Sequence, residues 1–323
     1  MPKRTVILGG AGLIGTHLCL RLLREGCEVF CVDIRGLCDS PLLREARDYD
    51  NFRFIRHNIV HSYGIRCDEI YNLASPSCLR YDKALPVQTL RVNISGSVNT
   101  LEAARAEHAR VLFASSGEVG SRMRRDALCD DNYYRTAATI LGEAKRSAEA
   151  LHRAYRAEYG VDARIARVFN TYGPGTDLND RRVVPCMTAA ALLNRDIVIC
   201  GNGEQVRSFC WVEDMVDGLV RLMSAQMHGS RMATVALGST HEISIRALAE
   251  KIVGMTGSRS KIRHIESRYS DPQRKIPDIS AARRELKWTP TVPLTDGLQR
   301  TIAYVESEMS KIGYTSRTWV EMH

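Results

Sequence analysis

The chain has 323 residues, 44% of them apolar and 25% charged, with a formal net charge of +8; that is enough for one large α/β domain or a nucleotide domain with a smaller lobe. No apolar run approaches the roughly 20 residues of a membrane span, and the arginines of "RLLREG", "REARDYD" and "HRAYRAEYG" are interleaved with acids rather than set in an aromatic-studded stripe. Neither a membrane segment nor nucleic-acid binding is expected, and the excess charge favours small anions as ligands.

The predicted elements follow a strand–helix alternation. "TVILGG" (Thr5 to Gly10) is a short apolar run ending in glycine, and "LIGTHLCLRLLREG" after it repeats Leu and Ile at helical spacing. The start therefore reads as a first strand rather than a leader, and a cytoplasmic protein is expected. "CEVFCVDI" supplies a second strand, "FRFIRHNI" a third, "DEIYNLA" a fourth and "RVLFASS" a fifth, with the helix "TLRVNISGSVNTLEAARAEH" between the last two. A long amphipathic helix carrying Lys145 precedes the strand "DARIARVFNTYG". Helix-length connections between buried strands require parallel pairing, so the fold class is α/β, a doubly wound, mostly parallel sheet. After "YGPG" the pattern loses regularity and prolines accumulate. Residues 1–175 are read as a dinucleotide-binding domain that also carries the reaction centre, and 176–323 mainly as a smaller substrate lobe with some return of chain to the first domain. The ten cysteines contain no CxxC and the nine histidines no HExxH, so reduced thiols and no metal site are expected.

"GGAGLIG" places Gly9, Gly12 and Gly15 directly after a strand and at the opening of a helix. Such glycines permit a tight turn, close approach of backbone to a pyrophosphate and close helix–strand packing, with the helix N-terminus facing the phosphates through the backbone of Leu13 and Ile14. Asp33 closes the second strand 18 residues after Gly15, where a carboxylate can bind an adenosine ribose and would repel a 2′-phosphate. The expected cofactor is NAD, with Arg35 beside Asp33 the one basic neighbour that blurs this preference.

Together, "VILGGAGLIGTHL", "YNLASP", "LFASSGEV", "RVFNTYGPG" and "RSFCWVEDMVDGL" resemble the extended short-chain dehydrogenase/reductase family, and within it the UDP-glucuronate decarboxylases. The resemblance covers nearly the whole chain and implies a homodimer formed through two helices per subunit. It places Asn58 at the adenine, where the family usually has an aspartate, with Ile59 next to it among the cofactor-binding residues; Leu73, Ala74 and Ser75 along the phosphates and nicotinamide ribose; and Asn93 behind the cofactor. On the substrate side it assigns Arg207 to the diphosphate of a UDP-linked sugar and Asn170 to the phosphate or sugar. It assigns Arg182 and Val183 to the uracil and ribose. The family's further arginine near the sugar falls on Lys275, with Arg274 beside it, so charge is kept and forked geometry is not. The loop "LASPSCLRY" is one residue shorter than is usual in the family.

The family reaction oxidises the sugar C4 hydroxyl, with hydride passing to NAD and the proton to a tyrosine four residues before a lysine, which lowers its pKa. Here Ser116, Glu118 and Lys145 match the family pattern, but Gly117 and Gly120 replace a serine and a tyrosine, and Leu141 stands at the tyrosine position. Three readings are open. Another group deprotonates the hydroxyl, either Glu118 or a loop tyrosine, Tyr133 or Tyr134, while Glu143 points away on its helix. Alternatively the chain is an epimerase or dehydratase on a related sugar nucleotide or nucleoside uronic acid, in specialised metabolism, with Glu118 the main acid or base. In the third reading it is a non-catalytic partner that binds NAD and a nucleotide sugar.

Overall fold

The computed structural model describes residues 1–76, 85–120, 137–178, 180–226, 234–266 and 272–313. The first half of the chain runs β1 (Arg4–Leu8), α1 (Leu13–Arg24), β2 (Glu28–Asp33), β3 (Phe52–Arg56), β4 (Glu69–Asn72), α2 (Pro86–Glu107), β5 (Arg110–Ser116), α3 (Ala137–Tyr159) and β6 (Ala163–Val168). The second half continues with β7 (Thr171–Tyr172), α4 (Val183–Leu192), β8 (Ile197–Cys200), β9 (Val206–Arg207), β10 (Cys210–Trp211), α5 (Val212–Ser224), β11 (Thr234–Leu237), β12 (Ile243–Ser244), α6 (Ile245–Thr256), β13 (Ile262–Ile265), β14 (Arg274–Lys275), α7 (Ser280–Leu286) and α8 (Leu294–Lys311).

Seven of these strands form one sheet in the order β11-β6-β5-β4-β1-β2-β3, with every neighbouring pair parallel. The alternation along β1 shows why the sheet is buried on both faces. Ile7 joins a cluster with Leu18, Leu22, Met215, Leu219 and Trp288, from α1, α5 and the segment after α7. Val6 and Leu8 join the opposite cluster with Val92, Leu101 and Ala104 of α2. Helix α3 lies beside α2, and its Ala148 packs on Phe113 and Ile165.

The chain beyond Gly175 divides between two cores. β11, α5 and α7 pack with the large sheet, whereas α4, α6 and α8 enclose a second cluster that includes Met187, Ile197, Trp211, Leu248 and Leu298. A small sheet, β12-β9-β14, borders that second core, with β12 antiparallel and β14 parallel to β9. No described helix is long and apolar enough to cross a membrane. In the large sheet the strand order reverses between β1 and β4, and a crevice at the carboxyl ends of such strands is where this architecture accepts ligands.

Candidate active site

The glycine turn lies in that crevice. Gly9 has φ +76, and a Cβ there would stand 2.8 Å from the backbone of Ala74 at the end of β4. A Cβ on Gly15 would sit 2.4 Å from the Gly9 carbonyl oxygen, so helix and strand touch backbone to backbone. At Gly12 the only close atom would be that same oxygen, at 3.2 Å. Gly12 caps α1 without a side-chain acceptor, and the first turn carries no acid. The N–H groups that open α1, those of Leu13 and Ile14 among them, are therefore donors suited to an anion. Asp33, nearly buried, accepts from the Ala11 N–H through Oδ2 and from the Arg35 N–H through Oδ1, both at 3.0 Å. Each carboxylate oxygen keeps a second acceptor position for a ribose hydroxyl. The Arg35 guanidinium donates to the Ala11 carbonyl and lies 3.9 Å from Asp177, which clamps the turn from its outer side.

The middle of the crevice is formed by the end of β4. Asn93, 1% exposed, donates to Ser75 Oγ at 3.0 Å and to the Thr89 carbonyl at 2.8 Å, and its Oδ1 has no partner among the described residues. A buried acceptor without a donor is costly, so this atom fits a site that a hydroxyl of a bound group completes. The glycine cradle, the N-terminal donors of the helix and this acceptor all suit a dinucleotide. Asn58 accepts from the Val60 N–H at 3.2 Å. The side chain of Ile59 is buried in the core against Gly96 of α2, because the turn after β3 directs an apolar residue inward.

At the reaction end, β5 finishes in Ser116, whose Oγ accepts from the Glu118 N–H at 3.2 Å. A Cβ on Gly117 would stand 2.8 Å from the Phe169 ring, so the glycine found there leaves no room for a serine. The Glu118 carboxylate forms an ion pair with Lys275. Lys145, 4% exposed, donates to the Ala114 carbonyl at 2.6 Å and lies 4.7 Å over the Phe113 ring. Burial pushes its pKa down to about 7. Leu141, one turn earlier, is buried as well. Tyr133 and Tyr134 lie outside the described residues.

Behind β5, Ser115 faces the opposite way and donates to Glu149, which Arg167 grips with two bonds at 2.8 Å. Burial pushes the Glu149 pKa up, but Arg167 and Ser115 outweigh it and hold the carboxyl below its usual value.

On the substrate side, strand pairing decides which cations face the crevice. Lys275 is in register with Arg207 and Arg274 with Val206, so the first two share one face of the small sheet and Arg274 takes the other. Arg274 is therefore a correction. Its side chain is 63% exposed and paired with Glu242 at the surface, because adjacent strand residues point to opposite sides. Arg207 is buried and donates to the carbonyls of Val206 and Pro272 at 2.8 and 2.9 Å. Asn170 donates to the Ser208 carbonyl at 3.1 Å. Arg182 pairs with Asp180 at 2.6 Å at the start of α4, where Val183 is the first residue.

Sequence reasoning missed three contributors. Phe113 supplies the ring under Lys145. Ser208 keeps a buried hydroxyl without a partner among the described residues. His17 donates through Nε2 to the Pro174 carbonyl at 2.8 Å, tying α1 to the "YGPG" loop. Only the position of Phe113, three residues before Ser116 on the same strand, offered a signal.

Comparison with known proteins gives a consistent picture. The family model described as the NAD dependent epimerase/dehydratase family matches residues 5–238. UDP-glucuronic acid decarboxylase 1 of Xenopus tropicalis is 36% identical over 311 residues, spanning 95% of this chain and 73% of the relative. UDP-glucuronic acid decarboxylase 3 of Arabidopsis thaliana is 36% identical over 304 residues, 91% of this chain and 86% of the relative. Among solved structures, UDP-glucose 4-epimerase of Thermotoga maritima superposes with a TM-score of 0.81 at 24% identity, over 95% of this chain and 99% of that one. UDP-glucuronic acid 4-epimerase of Bacillus cereus, in complex with UDP-glucuronic acid and NAD, gives 0.80 at 23%, over 94% and 99%. These two share the fold.

Proposed function

The chain belongs to the NAD dependent epimerase/dehydratase family, and from that premise we propose that it decarboxylates UDP-glucuronate through a transient 4-keto sugar, with Glu118 in the proton-transfer role of the missing tyrosine. The observation that carries this reading is the charge pair at the end of β5, where Glu118 stands beside Ser116 and is held by Lys275. An acid–base group is thus present at the reaction centre although Leu141 fills the tyrosine position. Identity of 36% with UDP-glucuronic acid decarboxylases over most of the chain supports the choice of substrate.

Bound NAD would supply the hydride chemistry at C4. Ser116 donates a hydrogen bond to the C4 oxygen, and Glu118 takes the hydroxyl proton as the ketone forms. The ketone lies β to the carboxylate, so the C5–carboxylate bond breaks, carbon dioxide leaves, and the electron pair is held as an enolate beside the Lys275 ammonium. A proton from water is added at C5, and Glu118 returns its proton to the C4 oxygen as the C4 carbonyl is reduced. Arg207 meets the diphosphate, and the N-terminal donors of α1 with Asp33 hold the dinucleotide. We further propose a cytoplasmic homodimer paired through α2 and α3. The exposed Leu85, Val87 and Leu90 around the start of α2 and Tyr159 at the end of α3 support the pairing. The dispersed free cysteines support a reducing compartment.

The test is incubation of the purified protein with NAD and UDP-glucuronate, with products followed by mass spectrometry. Loss of carbon dioxide from the sugar nucleotide is the expected result. An epimer of unchanged mass, or unchanged substrate, overturns the proposal.

A further inference from the structure

Two opposite charges hold the glycine turn at one residue. The Asp33 carboxylate accepts from the Ala11 N–H at 3.0 Å, and the Arg35 guanidinium donates to the Ala11 carbonyl. Although they flank the same peptide, Arg35 and Asp33 form no ion pair with each other among the described residues. The guanidinium instead faces Asp177, on the loop after β7, at 3.9 Å. That loop is tied to α1, since the Pro174 carbonyl accepts from His17 Nε2 at 2.8 Å, and it turns back on itself where the Asp180 N–H donates to the Asp177 carbonyl at 2.9 Å. A segment from the second half of the chain thus delivers an acid to the outer side of the cofactor turn.

We propose that Asp177 selects the cofactor. By drawing the Arg35 guanidinium outward, it leaves the Asp33 carboxylate without a cation for the ribose hydroxyls of NAD and withholds the guanidinium from the 2′-phosphate of NADP. The inference rests on dinucleotide binding at the glycine turn and is independent of the sugar end of the crevice.

The position of Arg35 makes the question sharp. An arginine just past the end of the second strand is where this architecture receives a 2′-phosphate, which a guanidinium grips with two parallel bonds. The Arg35 N–H donates to Asp33 Oδ1 at 3.0 Å, so its backbone is fixed beside the ribose acid. Its side chain points elsewhere. With one nitrogen on the Ala11 carbonyl and another toward Asp177, the fork would have to give up both contacts to close on a phosphate. Charge acts in the same direction, because a 2′-phosphate is a dianion that meets Asp33 and Asp177 as like charges, whereas the ribose of NAD brings no charge there. The pair is partly exposed, 34% at Arg35 and 51% at Asp177, so its effect is a matter of a few-fold and adds to the larger exclusion by Asp33.

The experiment is calorimetric titration of NAD and of NADP into the wild-type protein, Asp177→Asn, Arg35→Gln and the double variant. Asp177→Asn keeps the size of the side chain and removes its charge. The wild type is expected to bind NAD at least about tenfold more tightly than NADP. Asp177→Asn is expected to bind NADP about threefold or more tighter than wild type, with NAD within about twofold. The gain must run through Arg35, so adding Asp177→Asn to Arg35→Gln is expected to change NADP affinity by less than about 1.5-fold. NADP bound no tighter by Asp177→Asn, an equal gain for NAD, or a gain that persists without Arg35 overturns the inference. None of these measurements needs turnover, so they stand apart from the release of carbon dioxide. A wild-type protein that binds neither dinucleotide takes down the cofactor site and this inference together, whereas normal NAD binding without the NADP gain removes the inference alone.

Discussion

Lys145 donates its ε-amine to the carbonyl of Ala114 at 2.6 Å, deep enough that only 4% of the residue is exposed. Burial lowers its pKa from 10.5 to about 7. The folded value lies below the unfolded one, so between these pH values the unfolded chain holds a proton that the folded chain has released. Stability therefore rises with pH across the window, and burying the charged amine is most costly near and below pH 7. Lys145→Met is expected to stabilise the cofactor-free protein at pH 7 by about 2 kcal/mol or more, and by less than about 1 kcal/mol near pH 10. Urea unfolding at the two pH values reads this directly. An equal gain at both would mean that desolvation of the amine is not the cause.

Leu141→Tyr restores the side chain that the family reaction uses, one turn before Lys145. With the proton passed to Glu118 instead, the substitution is expected to change kcat by less than about threefold, whereas Glu118→Gln lowers it by about a hundredfold or more. Steady-state assays of carbon dioxide release compare the two. A hundredfold rise in Leu141→Tyr would show that the tyrosine position is still where the proton belongs.

The glycines of the turn separate folding from binding. Gly15→Ala drives a Cβ to 2.4 Å from the Gly9 carbonyl oxygen and 2.7 Å from Gly10 Cα, both backbone atoms, and is expected to destabilise the protein by about 2 kcal/mol or more. Gly12 has φ −76 and meets only one atom, at 3.2 Å. Gly12→Ala is expected to keep stability within about 1 kcal/mol while weakening NAD at least tenfold, since the methyl enters the space a pyrophosphate needs. Thermal unfolding with and without NAD distinguishes them, and a Gly12→Ala protein that binds NAD normally would remove the turn from the cofactor site.

Arg207 presents a guanidinium that is already bonded to two backbone carbonyls and so fixed in direction. Arg207→Lys keeps the charge and loses the fork, and is expected to weaken UDP about tenfold with NAD affinity unchanged. Titration with UDP alone tests this. No loss of affinity would mean that the guanidinium serves the β9–β14 sheet rather than the diphosphate.

Much of this protein was legible in its sequence because backbone geometry writes itself into short-range spacing. Apolar runs separated by helix-length segments required parallel strands, the glycine spacing after β1 required a backbone-lined turn, and Asp33 at the end of β2 followed from the length of the intervening helix and strand. The missing tyrosine was likewise visible, since Leu141 and Lys145 lie one helical turn apart.

The tertiary structure alone decided which charges meet. With 45 basic and 37 acidic side chains, no spacing rule could pair Lys275 with Glu118 across 157 positions. Nor could the sequence say which of Arg274 and Lys275 faces the crevice, because the phase of a two-residue strand is set by its register on β9. Ile59 turned inward for the same kind of reason, its side chain belonging to the core that α2 closes. Backbone periodicity is a local property that a sequence carries residue by residue. Charge pairing and strand phase depend on which elements the fold brings together, and only the packed chain fixes them.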